Sequence, residues 1–200
     1  MADFHALRWA TATSATFLPA AVYAAPAVLD WHQPAAAVVE QWQAPSVLRI
    51  NESLLLPEAE ALLSKQASRY AVVLGTDNQV SGIVMSSDLR SRQTLAIANL
   101  LQLPWHELQV SYVMQPANLL PVIHPHDLAN ARIGDLAATM QASGRDVLWV
   151  GDADAQTFSG VITSLHIMAA TGESVRLYPQ VNTFADVFQA LHHKRATYPV

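Results

Sequence analysis

The chain has 200 residues, of which 52% are hydrophobic and 14% charged, with a formal net charge of −5. That apolar fraction supplies ample core and excludes a disordered chain. Eleven Lys and Arg residues leave no basic stripe for nucleic acid, and no run reaches the ~18 unbroken apolar residues of a membrane-spanning helix.

At the amino terminus, Trp9–Ala27 is rich in Ala and Thr, and Val22-Tyr23-Ala24 before Ala25-Pro26 resembles a signal-peptidase site. Asp3 and His5 dilute the positive start of such a signal, and Pro19 interrupts its apolar run. Residues 1–37 therefore read as an arm or helix packing on the rest of the chain. Cleavage after Ala24 would instead make this a secreted or periplasmic protein of unknown activity. The absence of cysteine fits the cytoplasm and also fits secretion.

Val47–Ile50 reads as a short strand, followed by a helix with Leu55, Ala59, Leu62 and Leu63 on one face and Pro57 in its first turn. Ala71–Leu74 and the return through Gly82 form a β-hairpin around Thr76-Asp77-Asn78-Gln79. A second helix is expected to begin at Ser86. The same order then recurs. Leu120–Ile123 is strand-like, and Ile133, Leu136, Ala137 and Met140 recur at helical spacing. Val147–Val150 enters a hairpin that turns at Asp152–Gln156 and returns through Gly160, and a helix is expected from Ser164. Residues 81–89, Ser-Gly-Ile-Val-Met-Ser-Ser-Asp-Leu, are echoed by 159–167, Ser-Gly-Val-Ile-Thr-Ser-Leu-His-Ile. The period is too long for a solenoid and suits two copies of a small α/β unit.

Strand, helix, strand, strand, helix, with a glycine opening the third strand and Thr/Ser-x-x-Asp at the turn into the last helix, resembles the CBS domain (named after cystathionine β-synthase). Gly82-Ile83-Val84-Met85-Ser86-Ser87-Asp88-Leu89 and Gly160-Val161-Ile162-Thr163-Ser164-Leu165-His166-Ile167 align with that family's pattern. Val113-Met114-Gln115-Pro116 resembles the lead-in that opens many CBS repeats. The resemblance implies an α/β (α+β) fold of two β-α-β-β-α repeats, at 38–104 and 105–172, packed as a pseudo-symmetric module. It implies a homodimer, an adenine ligand such as AMP, ADP, ATP or S-adenosylmethionine in the inter-repeat cleft, and regulation of an unidentified effector protein. No cofactor is required. The flanks outside 38–172 are too short for a catalytic domain, so the expected protein is not an enzyme.

In the family the Thr/Ser hydroxyl contacts phosphate and the Asp carboxylate takes ribose hydroxyls. Here the pair is split. The first repeat keeps Asp88 but has Met85 at the hydroxyl position, with Ser86 and Ser87 as substitutes. The second keeps Thr163, beside Ser164, but has His166 at the carboxylate position, where a protonated imidazole would aid phosphate binding at low pH. The same residues suit helix starts, where Ser, Thr and Asp cap free N–H groups. A module whose clefts are lost and whose task is dimerisation or docking is the alternative.

Val175–Tyr178 reads as a strand, and Thr183 as the cap of a helix bearing Phe184, Val187, Phe188 and Leu191. With Thr197-Tyr198-Pro199-Val200, residues 173–200 resemble the first half of a third repeat; either this half-repeat packs on the module as a cap, or the chain is a piece of something longer. His124-Pro125-His126-Asp127 carries metal-donor types but reads as a polar connection between strand and helix. Trp42 and Trp149 are candidates for core or cleft, and Trp105 lies in the linker between repeats.

Overall fold

The computed structural model describes residues 5–11, 18–19 and 29–177. In chain order its strands are β1 (Ala10–Thr11), β2 (Leu18–Pro19), β3 (Glu40–Gln41), β4 (Arg49–Asn51), β5 (Tyr70–Leu74), β6 (Val80–Met85) and β7 (Gln115–Pro116). They continue with β8 (Pro121–Ile123), β9 (Val147–Asp152) and β10 (Thr157–Thr163). The α-helices are α1 (Leu56–Lys65), α2 (Arg92–Leu101), α3 (Pro125–Ala129), α4 (Ile133–Ser143) and α5 (Ser164–Thr171). Among the described residues no helix is long and apolar enough to cross a membrane.

The chain divides into two compact units, one spanning Leu48–Pro116 and the other taking the described residues up to Val47 and from Ala117 onward. In the first unit the strands run in the order β4-β5-β6-β7. β4 is parallel to β5, as a helical crossover through α1 requires, while β5 and β6 form an antiparallel hairpin. Leu56, Ala59 and Leu63 of α1 and Ile97 of α2 cover one face of this sheet, against Ala71, Val73 and Val84. Ala59 and Leu63 are buried as expected, while Leu56 takes the place expected of Leu55. Leu55 is the N-cap and exposed, its N–H donating to Glu58 Oε2 at 3.1 Å, and Leu62 is half-buried.

The second unit repeats the order. β8 is parallel to β9, β9 and β10 are antiparallel, and α4 and α5 lie against them. Ile133, Leu136, Ala137 and Met140 are buried, as their spacing predicts. The amino-terminal arm extends this sheet rather than adding a helix over its described stretches: β1 pairs with β8 and β2 with β10. Val175 and Leu177 pack on the core of this unit without forming the expected strand. Tyr178 and the expected helix beyond it lie outside the described residues.

Each sheet also receives a strand from the stretch ahead of the other repeat. β3, which precedes the first repeat, pairs with β10 at Gly160↔Gln41. β7, which precedes the second, pairs with β6 at Gly82↔Pro116. Both echoed glycines therefore sit where a lead-in strand arrives. A Cβ on Gly82 would collide with the Gln115 carbonyl oxygen, and one on Gly160 would lie 2.7 Å from Val39 Cγ1. Close approach of a lead-in strand is the reason for glycine at both positions, through the Gln115 backbone at Gly82 and through the Val39 side chain and Glu40 carbonyl at Gly160.

Candidate functional site

In the first unit β6 ends at Met85, and the Ser86 N–H donates to the Arg69 carbonyl at 2.8 Å. The chain then makes a short 3₁₀ turn over Asp88–Arg90 before α2 starts at Arg92, so the helix does not begin at Ser86 as expected. Ser91 is the true cap, its Oγ accepting the Thr94 N–H at 3.1 Å. The Asp88 carboxylate instead closes the turn on itself. Its Oδ2 accepts the Met85 N–H at 3.1 Å and faces Gln115 Nε2 at 3.5 Å. Asp88 and Ser86 are half-buried and Ser87 is exposed, so all three remain within reach of solvent.

The equivalent turn in the second unit is closed. Thr163 is fully buried and is the N-cap of α5, its Oγ1 accepting the His166 N–H at 3.2 Å. His166 Nδ1 accepts the Thr163 N–H at 3.2 Å, a reciprocal capping box with imidazole in the usual Glu position. A nitrogen that accepts carries no proton, so the ring hydrogen belongs on Nε2, which lies 2.8 Å from Glu40 Oε2. Glu40 Oε1 in turn accepts the Ser46 hydroxyl at 2.6 Å. Both imidazole nitrogens and the Thr163 hydroxyl thus serve the fold. Ser164 joins them through its backbone, whose N–H donates to the Asp146 carbonyl at 2.8 Å.

A cleft of about 300 Å³ opens between α1 and the turn after β6. Leu63, Leu89, Ser64, Ser86, Arg69 and Glu60 line it. Arg90 grips Glu60 with two hydrogen bonds, 2.6 and 2.7 Å, which hold the Glu60 carboxyl below the usual range despite the opposing effect of burial. The Arg90 guanidinium lies 4.4 Å from the Trp105 ring centroid, and Trp105 Nε1 donates to the Leu89 carbonyl at 2.8 Å. Trp105 of the linker therefore packs within the first unit. Arg69 escaped sequence reasoning because it belongs to no motif; the repeat register, which sets it opposite Asp146, is the signal that marks it.

Trp42 and Trp149 are both buried core residues, their rings edge-on to Phe158 at 5.7 and 4.5 Å. His124 caps the short α3 through Nδ1, with Nε2 3.7 Å from Asp152 Oδ2. The Asp152 carboxyl is held below its ordinary range chiefly by the Ala155 N–H, with Asp154 and His124 adding to it. Among the described residues no three His, Asp or Glu side chains converge as metal donors.

No protein-family model matches the sequence, and no curated protein matches it either. Solved structures do. An uncharacterised conserved protein from Pyrococcus horikoshii superposes with a TM-score of 0.53 at 18% identity, covering 76% of this chain and 100% of that one. A CBS-domain containing protein from Agrobacterium tumefaciens gives a TM-score of 0.47 at 18% identity, over 62% of this chain and 83% of that one. CBSX2 in complex with AMP gives 0.45 at 21% identity, over 70% and 92%. Likeness at such identity concerns the fold, and it agrees with the strand–helix–strand–strand–helix order found in each unit. The strand–helix–strand–strand–helix order of both units is the one that the resemblance to tandem CBS-domain proteins implies.

Proposed function

We propose that the chain is a regulatory, non-catalytic CBS-pair module that senses an adenine nucleotide, and that the first repeat holds the ligand. The supporting observation is the asymmetry between the two turns. Ser86, Ser87 and Asp88 are solvent-accessible, while Thr163 and His166 are tied to each other and to Glu40. Asp88 would take the ribose hydroxyls, with Ser86 and Ser87 as hydroxyl donors to phosphate. Thr163, Ser164 and His166 hold the start of α5 in this reading. The module would act in the cytoplasm as a homodimer, passing a ligand-dependent change of packing to an effector protein, which requires differential affinity for two states.

Calorimetry with AMP, ADP, ATP and S-adenosylmethionine tests the reading. A ligand at a hundredfold its dissociation constant adds about 2.7 kcal/mol of stability, enough to raise the melting temperature by several degrees. Asp88→Ala should abolish that shift, and Thr163→Ser should keep it. A second reading has one observation in its favour: the Asp88 carboxylate already serves the Met85 N–H. If no nucleotide binds the wild-type chain, Asp88 is a turn residue only and the module is for docking or dimerisation.

A further inference from the structure

The two repeats align residue by residue at their last turns. The Ser86 N–H donates to the Arg69 carbonyl and the Ser164 N–H to that of Asp146, both at 2.8 Å. Ala67 after α1 and Gly144 after α4 both lie in the left-handed region. Met140 and Ile167 thus take the places of Leu63 and Leu89, which line the first unit's cleft, and Gln141 takes that of Ser64. In the second unit the chain itself lies there. Val175 and Leu177 pack against the buried cluster that contains Met140 and Ile167, and Gln141 Nε2 donates to the Arg176 carbonyl at 3.1 Å. Both apolar side chains are half-buried and Arg176 between them is exposed, the alternation of a segment laid along a surface.

We propose that Val175–Leu177 is an intramolecular plug, which shuts the second unit's counterpart of the cleft and opens it by swinging away. Among the described residues, one hydrogen bond ties the segment to α4, between exposed groups, and no strand pairing includes it. Such sparse contact belongs to the elements that open at low free-energy cost. Met140 and Ile167 keep their places without it, because they share their cluster with Leu148, Val150 and Ile162 of the sheet. A hinge is present as well. The chain leaves α5 at Gly172, whose φ of 73 suits glycine, and nothing lies within 4 Å of the place a Cβ would take. One chain therefore presents an open cleft in its first repeat and a closable one in its second, whatever the first cleft binds.

The chain has no cysteine, so a single introduced thiol reports on access to the floor. Met140→Cys, Leu63→Cys and Leu148→Cys are made in the full chain and their reaction with dithionitrobenzoate is timed. Ile167→Cys replaces Met140→Cys if that variant does not unfold cooperatively in urea. Leu63→Cys should react fast, and Met140→Cys and Leu148→Cys slowly. Adding Val175→Ser and Leu177→Ser together should speed Met140→Cys about tenfold or more, by raising the population of the open form, and leave Leu148→Cys as slow as before. Reaction of Met140→Cys as fast as that of Leu63→Cys with the segment intact overturns the proposal, as does a rate that the serine substitutions do not move. An equal rise at Leu148→Cys overturns it as well, by showing that the segment only stabilises the whole unit.

Discussion

His166 Nε2 and Glu40 Oε2 stand 2.8 Å apart, joining the first turn of α5 to the lead-in strand β3. Both side chains are mostly buried, at 20% and 23% exposure, so the contact is shielded from solvent more than a surface pair would be. Its value lies in the chain of bonds it completes: Thr163 N–H to His166, His166 to Glu40, and the Ser46 hydroxyl to Glu40.

His166→Ala removes the N3 half of the capping box and leaves Glu40 without its imidazole partner. The expected loss is about 1–2 kcal/mol, the range for a lost cap or a single hydrogen bond. His166→Gln should recover part of it, because glutamine at N3 also reaches back to the N-cap N–H. Urea denaturation of the three proteins checks this. Equal stability of wild type and His166→Ala would show that the network is not holding β3 to α5.

The echoed glycines make a graded prediction. A Cβ at Gly82 meets the Gln115 backbone, which can move only if β7 leaves β6. A Cβ at Gly160 meets Val39 Cγ1 at 2.7 Å and the Glu40 carbonyl oxygen at 3.0 Å, and the valine side chain can give way first. Both alanine variants should be destabilised within the ~1–3 kcal/mol range of overpacking, with Gly82→Ala the worse. Melting temperatures rank them, and the reverse order would mean that β3 is the more firmly held of the two lead-in strands.

How much of this could be read from the sequence depends on the distance over which each signal acts. The β4-α1-β5-β6 and β8-α4-β9-β10 orders were legible because short apolar runs, the turns that close them and helical periods are local signals. So was the start of α5 at Ser164. The start of α2 was misread, since Ser86-Ser87-Asp88 offers as good a cap as Ser91; the turn at Asp88–Arg90 decides between them by burying Leu89 and bringing Thr94 against the Asp88 carbonyl. The pairings of β3 with β10 and β7 with β6 left only the two glycines as a trace. Glu40 was invisible as a site residue because its partner His166 is far away in sequence.

Acid stability offers a test of the clamp over the cleft. The Arg90 hydrogen bonds hold the folded Glu60 carboxyl below its unfolded value, so the pair adds stability that is present above the unfolded value and lost as pH falls through the folded one. Glu60→Gln should therefore lower stability at neutral pH and show a shallower decline below about pH 5, in the titration range of an ordinary glutamate. Both partners are substantially exposed, at 36% and 65%, so the effect is expected to be small and to shrink further in high salt. Parallel acid-limb profiles of the two proteins would show that the fork contributes nothing to folding.

Ala67 carries a backbone cost that one substitution should relieve. It follows α1 in the left-handed region at φ 50, where its counterpart after α4 is Gly144 at φ 66. A Cβ in that region costs about 1 kcal/mol or more, whereas glycine enters it freely. The extra backbone freedom of glycine in the unfolded chain offsets part of the gain. Ala67→Gly is thus expected to stabilise the chain by a few tenths to about 1 kcal/mol, read as a rise in melting temperature with the denaturant m-value unchanged. A fall in stability would mean that the methyl group contributes packing at the rim worth more than the strain it imposes.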